Sequence, residues 1–244
     1  MSAGSAIEFS FDDLERELRS YLADAAGQAD ITSAVRDIQA AQAQLDAAAA
    51  DARPPDGEVL VPRVSQTEQL TQARGVQSKL LPDAPPTIPG FDVAGFNRFC
   101  SDVGGDYYDF ISLPDGRTAV VIADVSGKGV PAAMVMVMFR SILRLVVARG
   151  EGPKATLIHT SRLLAPDLLR GMFITVLMIA VDPHSREITL VNAGHHPPLL
   201  WRPRLTGTRL VNVRGPALGV LKASQFGARL TERTLPAEKG DCLC

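Results

Sequence analysis

The sequence predicts an α+β fold in which antiparallel sheets pack face to face with helices outside, preceded by a separate helical segment. Three observations carry this. Strand-like runs come in pairs joined by turn signals, the clearest being Tyr107–Ser112 and Thr118–Asp124 around Leu113-Pro114-Asp115-Gly116-Arg117, where proline presets one φ angle and glycine supplies a positive one. Two helical patterns, Val130–Val147 and Lys154–Leu164, stand between one set of strands and the next. Tandem prolines, Pro54 and Pro55, with Gly57 then separate an N-terminal segment from the rest.

Taken in order, residues 8–26 read as a helix capped by Ser10, with Asp12 and Asp13 in its first turn and Leu14, Leu18, Tyr21, Leu22 and Ala25 on one face. A second helix, Asp30 to about Ala52, carries Ile31, Val35, Ile38 and Leu45 among many alanines, a stripe too thin for a core of its own. Residues 1–53 therefore form a helical regulatory or dimerisation segment, either a hairpin packed on its own chain or a surface for a second copy or an upstream activator. Residues 54–89 are a linker holding a connector helix, Ser65–Leu81, closed by Pro82 and Asp83. The main domain, residues 90–244, opens on an alternating strand, Phe91–Phe96. After the hairpin, Pro131 sits in the first turn of the 130–147 helix and Gly150 stops it. Further strands are expected at Met172–Asp182, Glu187–Asn192 and Leu199–Arg202, with short ones near Leu210–Val213 and Arg229–Leu235. No internal repeat is evident.

Composition excludes several functions. Hydrophobic residues make up 46% and charged residues 21%, ordinary for a globular chain and too apolar for a mostly disordered one. A formal net charge of -2 gives no broad attraction to nucleic acid or an anionic membrane. Cys100, Cys242 and Cys244 fit no zinc or thioredoxin pattern, and their odd count suits reduced thiols. The start of the chain lacks the basic and apolar regions of a leader, and no apolar run is expected to span a membrane. The expected location is the cytoplasm.

The chemistry is concentrated between Asp102 and Gly129. If the hairpin pairs as its turn suggests, Asp106 before the first strand and Asp124 ending the second fall at the same end. Aspartates among glycines with no histidine in the hairpin favour a hard, oxygen-preferring cation, magnesium or manganese, over zinc or copper. Gly104, Gly105, Gly127 and Gly129 would let backbone approach such an ion closely, so that a peptide carbonyl also becomes a candidate ligand. The plainer alternative is that these aspartates only cap turns and a helix. Ser126-Gly127-Lys128-Gly129 is no phosphate loop, because Ile122 stands where its first glycine belongs.

Val103-Gly104-Gly105-Asp106-Tyr107-Tyr108-Asp109, Ala123-Asp124-Val125-Ser126-Gly127-Lys128-Gly129 and Asn192-Ala193-Gly194-His195-His196-Pro197-Pro198, in that order, resemble the signatures of the SpoIIE-like bacterial branch of the metal-dependent (type 2C, PPM) protein serine/threonine phosphatases. The resemblance runs from Ala73–Pro82 through Gly215-Pro216-Ala217-Leu218-Gly219 to Gly240-Asp241. It implies a four-layer αββα sandwich, two Mn²⁺ or Mg²⁺ ions at one end, and hydrolysis of phosphoserine or phosphothreonine on a phosphorylated regulatory protein, in this branch usually an anti-sigma-factor antagonist. By motif, Asp106 corresponds to a metal-binding aspartate, Asp124 to the one bridging both ions, and Val125 to the position whose carbonyl adds a ligand. Asp102 and Asp109 are candidates to hold metal-bound waters without touching the ions themselves. Asn192–Pro198 reads as a turn that shapes the site.

The chain departs from the family at its end. After Asp241-Cys242-Leu243-Cys244 the family continues into a strand ending in Asp-Gly and, later, a second aspartate pair, and neither is present. The domain is therefore expected to be C-terminally incomplete, a fragment in preference to a naturally shortened relative, and weakly active or inactive. A non-catalytic pseudophosphatase that binds a regulatory partner is the competing expectation.

Overall fold

The computed structural model describes residues 65–98, 102–205 and 207–244; the helices expected over 8–26 and 30–52 and the linker at 53–57 lie outside the described residues, apart from Ala40, which is helical. The chain divides into two compact units, Met1–Arg63 and Val64–Cys244. The second unit begins with α1 (Gln66–Lys79), whose N-terminus is a capping box: Ser65 Oγ accepts from Glu68 N and Glu68 Oε2 accepts from Ser65 N. There follow β1 (Asp106–Ser112), β2 (Thr118–Val125), α2 (Gly129–Val147), α3 (Pro153–Leu164), β3 (Ile174–Asp182), β4 (Glu187–Ala193), β5 (Leu199–Trp201), β6 (Thr208–Leu210), α4 (Ala223–Arg229), β7 (Glu232–Pro236) and β8 (Cys242–Leu243).

Five strands form an antiparallel sheet in the order β1-β2-β3-β4-β7, and three form a second in the order β6-β5-β8. The β1–β2 hairpin turns as its sequence predicts: Leu113 N donates to Arg117 O, Gly116 N donates to Leu113 O, and Gly116 has φ +85, a conformation that glycine adopts without steric cost. Successive side chains on a strand point to opposite faces. On one face Tyr107, Val121, Val125, Met178 and Val191 join Met136, Phe139 and Leu143 of α2 and Leu157 of α3 in one buried cluster. On the other face Val181, Ile188 and Leu190 meet Leu200 of β5 and Leu243 of β8. The layers therefore run helices, five-stranded sheet, three-stranded sheet. Each fully buried Phe, Leu or Met side chain in these clusters contributes about 1.5–3 kcal/mol through lost apolar surface.

Two expectations need correction. Phe91–Phe96 is not a strand; only Phe91 makes an isolated bridge, to Ile88. The segment lies across side chains of β1 instead of along its backbone edge: a Cβ added at Gly95 would fall 2.3 Å from the Tyr108 ring and 3.2 Å from that of Phe110. The second concerns α2, which by length and composition could cross a membrane, although no such run was expected. Its Ala132, Val135, Met136, Phe139 and Leu143 are instead buried in the cluster with the five-stranded sheet. Met136 is wholly buried and fills the core, while Met134 is exposed.

Candidate metal centre

The β1–β2 register sets Asp106 directly opposite Asp124, and the β2–β3 register sets Asp124 opposite Thr175. Both aspartates share a face with Tyr108 and Ile122, the face turned away from α2. They line a cleft of about 280 Å³ with Asn97, Arg98, Ile122 and His195. A larger depression, about 530 Å³, lies around Ala165–Met172 and Gly219–Ala223. Arg170 and Lys222 line it, whereas Asp167 does not and no imidazole does, so the chemistry selects the smaller cleft.

Among the described residues neither the Asp106 nor the Asp124 carboxylate has a hydrogen bond or ion pair, and both residues are solvent-accessible. Partial burial first, and the charge of Asp106 second, raise the Asp124 carboxyl above the usual carboxylate range; His195 and His196 act against this. Two facing carboxylates that repel each other in the absence of a counter-charge form a donor set suited to a hard divalent cation. The set is partial, because no cluster of three or more acidic, histidine or cysteine side chains able to hold a metal forms among the described residues. Val125, the expected carbonyl ligand, ends β2 and donates its N–H to Gly105 O. A Cβ at Gly105 would stand 2.8 Å from Val125 O and 3.3 Å from Ala132 Cβ, so only glycine allows this approach without a shift of backbone.

The remaining candidates divide. Asp102 is exposed in the preceding loop and is not among the residues lining the cleft. Asp109 is not a neighbour of the centre. Three residues beyond Asp106, it takes the opposite parity along β1 and points to the helix side, wholly buried. There it binds Arg144 of α2 through two bonds of 2.7 Å, Nε to Oδ2 and Nη2 to Oδ1, and accepts from the Tyr107 hydroxyl. Burial, followed by the charge of Asp109, pushes the Tyr107 phenol upward, so it stays a donor. This aspartate ties β1 to α2, on the face of the sheet opposite Asp106 and Asp124.

Two residues without an assigned role reach the site region. The Asn192 side chain, buried, donates to His195 O at 2.9 Å and accepts from His195 N at 2.8 Å. This turn delivers His195 to the cleft, where its Nδ1 lies 2.8 Å from Thr175 Oγ1. Burial first, then the charge of His196, lower the proton affinity of its ring; Asp124 and Asp106 act the other way. The Asn192–Pro198 motif signalled a turn, but its direction depends on a buried amide that spacing does not reveal. The other residue is Gln77 of α1. Its Nε2 donates to Gly104 O at 2.7 Å and its Oε1 accepts from Gly104 N at 3.0 Å.

Comparison with known proteins agrees with the fold and the motifs. The family model described as Stage II sporulation protein E (SpoIIE) matches residues 114–244. Phosphoserine phosphatase RsbU of Bacillus subtilis is 26% identical over 175 residues, covering 72% of this chain and 51% of that protein. Protein IcfG of a Synechocystis strain is 28% identical over 185 residues, covering 65% of this chain and 29% of that protein. The chain thus spans about half or less of these relatives. The SiaA-PP2C domain of Pseudomonas aeruginosa superposes with a TM-score of 0.57 at 17% identity, covering 72% of this chain and 69% of that domain, and so shares the fold. With the family model covering more than half of the chain, and the paired aspartates in register at the sheet end, this protein belongs to the SpoIIE-like family of metal-dependent PPM (type 2C) protein phosphatases.

Proposed function

We propose that this chain carries the catalytic face of a manganese- or magnesium-dependent phosphatase that hydrolyses phosphoserine or phosphothreonine on a regulatory partner protein of the anti-sigma-factor-antagonist kind. The observation that carries this reading is the Asp106–Asp124 pair, opposed across β1 and β2 with neither carboxylate in an ion pair among the described residues. The resemblance to a phosphoserine phosphatase supports the substrate class. Asp106, Asp124 and the Val125 carbonyl would hold the ion or ions. When bound, a divalent ion supplies activation of water and charge neutralisation at a phosphoryl group.

The chain's own groups prepare the cleft for this. His195 has its Nδ1 engaged with Thr175 and its proton affinity lowered, so its uncharged ring adds no repulsion against a cation. Arg98 is the permanently charged cation in the cleft lining, exposed and suited to a phosphate's oxygens. Residues 1–53 would receive an activating partner or a second copy, and the protein would work in the cytoplasm. A non-catalytic partner-binding module is the second reading, favoured by the lack of a third metal-binding side chain among the described residues.

The test is calorimetric titration with Mn²⁺ and hydrolysis of a phosphoserine peptide by the chain and by Asp124→Asn. The variant should lose more affinity than the about 10–100-fold typical of an outer-shell partner, and hydrolysis with it. Equal Mn²⁺ affinity in the two proteins would reduce Asp124 to a turn residue. Metal binding without turnover would select the binding module.

A further inference from the structure

We propose that the depression between residues 165–172 and 219–223 is a docking surface for a segment of the phosphoprotein substrate, rich in carboxylates and aliphatic side chains, close in sequence to the phosphorylated serine or threonine. The inference rests on the phosphatase reading of Asp106 and Asp124 and adds a second contact to it. The depression encloses about 530 Å³, within the about 300–1,000 Å³ of pockets that hold ligands. Leu169 and Val220, which line it, are 63% and 58% exposed. Apolar side chains left in water on a concave wall contribute to binding when a partner covers them. Arg170 and Lys222, both exposed, line the same depression; no carboxylate is among its lining residues, and the exposed Asp167 stands outside them. Such a surface is complementary to a segment in which leucine-like side chains alternate with carboxylates.

The sheet puts this depression beside the aspartate pair. β3 starts at Ile174, which pairs with Val125, and its next residue, Thr175, pairs with Asp124. Met172, in the lining, precedes Thr175 by three residues and so lies no more than about 11 Å from it. The cross-strand pair adds about 5 Å, and about five extended residues of a bound peptide span the sum. A phosphoserine held at the aspartate pair can therefore place its sequence neighbours in the depression. The walls are fixed in advance. Phe173 N donates to Ser126 Oγ and Ser126 N donates to Phe173 O, both at 2.9 Å, which ties the first wall to the end of β2. Ile174 and Leu218, both wholly buried, exchange two backbone bonds of 2.9 Å and tie the second wall to the start of β3. Gly219 has φ +89, and a Cβ there would fall 2.8 Å from both Leu168 Cδ1 and Met172 O, so the close approach of the two walls requires glycine. A surface held in this way gives up little conformational freedom on binding.

The experiment measures the binding of fluorescent peptides to the whole chain by anisotropy, in Mn²⁺ at low salt. The probes are a phosphoserine peptide with alternating glutamate and leucine on both flanks, its counterpart with lysine in place of glutamate, and the unphosphorylated form of each. The glutamate peptide should bind about tenfold tighter than the lysine peptide, phosphorylated or not, which is what two exposed ion pairs supply together, and the margin should shrink at high salt. Arg170→Glu with Lys222→Glu, two exposed positions, should abolish or reverse the preference. Arg209→Glu with Arg233→Glu changes the net charge equally at exposed residues of β6 and β7 outside the depression and should leave the preference intact. Leu169→Ser with Val220→Ser should weaken both leucine-bearing peptides. Equal affinity for the two flanks in the wild type overturns the proposal, as does a preference that survives the reversal at Arg170 and Lys222 or is lost equally in the β6 and β7 control. The phosphatase reading is scored separately: phosphorylation should tighten binding of the glutamate peptide, and Asp124→Asn should remove that gain while the flank preference of the unphosphorylated peptides stays. A flank preference with no gain from phosphate would keep the docking surface and remove the phosphatase reading, and a phosphate gain with no flank preference would do the reverse.

Discussion

Replacing Arg144 by Met separates the two faces of the β1–β2 hairpin. Asp109 is wholly buried, and the substitution removes both of its 2.7 Å bonds from the guanidinium while an apolar stem remains on α2. The carboxylate keeps only the Tyr107 hydroxyl and the Phe110 N–H. Removing one partner of a buried pair typically costs about 3–5 kcal/mol, because the other charge is left uncompensated. The Arg144 side chain is 41% exposed, so water can enter from its side, and the lower end, about 3 kcal/mol, is expected. For a unit the size of Val64–Cys244, each kcal/mol moves Tm by about 2–4 °C, giving a fall of about 6–12 °C. Thermal and urea unfolding followed by far-UV circular dichroism would read this, and adding Asp109→Asn to the variant should restore part of the loss by removing the orphaned charge. Mn²⁺ affinity at a temperature where the variant is folded should not change. A stability loss under about 1 kcal/mol, or weakened Mn²⁺ binding without a stability loss, would refute the assignment of Asp109 to the helix side.

Two further outcomes are expected. In chelator, Asp124→Asn should raise stability: its carboxyl has a folded-state proton affinity above the unfolded one, so the folded state is disfavoured as pH rises past the ordinary carboxylate range. The gain over wild type should therefore be present at neutral pH and vanish on acidification below that range, and thermal melts that show no gain would contradict the unneutralised pair. Gly75→Ala should stabilise α1 by about 1 kcal/mol, since an added Cβ meets nothing within 4 Å. If α1 is the regulatory connector, the same change should alter basal phosphatase activity or its response to a regulator, and identical activity in both conditions would remove that support.

Much of the site was legible because it depends on local rules. The Leu113–Arg117 turn fixes how β1 and β2 pair, and a period of two then places Asp106 opposite Asp124. What was missed is long-range or polar. Helical spacing sets Gln77 on one face with Leu70, Ala73, Val76 and Leu80, but it does not reveal the partner of its amide, which lies 27 positions away. α4 has one buried anchor, Phe226, in seven residues, too little for a periodic signal. The alternation at 91–96 was genuine, but it records side chains packing on side chains, with no strand partner beyond the single bridge of Phe91 to Ile88.

Asp109 is the instructive error, because the information needed to avoid it was present. Three positions separate it from Asp106, and an odd separation on a strand means opposite faces, so nearness in sequence to a metal-binding aspartate argued against a shared site. The same parity explains how one hairpin performs two tasks. Residues 107, 109 and 111 pair with 123, 121 and 119 and face α2, while 106, 108 and 110 pair with 124, 122 and 120 and face the cleft side. Charge on the helix side is neutralised internally by Arg144, which binds α2 to the sheet. On the cleft side it is left unneutralised, and that imbalance is what a cation can relieve. The two faces meet at the ends of the hairpin, where Gly105 accepts from Val125 N and a Cβ added to it would crowd both Val125 and Ala132. A substitution confined to the middle of the helix-facing side, such as Arg144→Met, should therefore change stability and leave the metal centre in place.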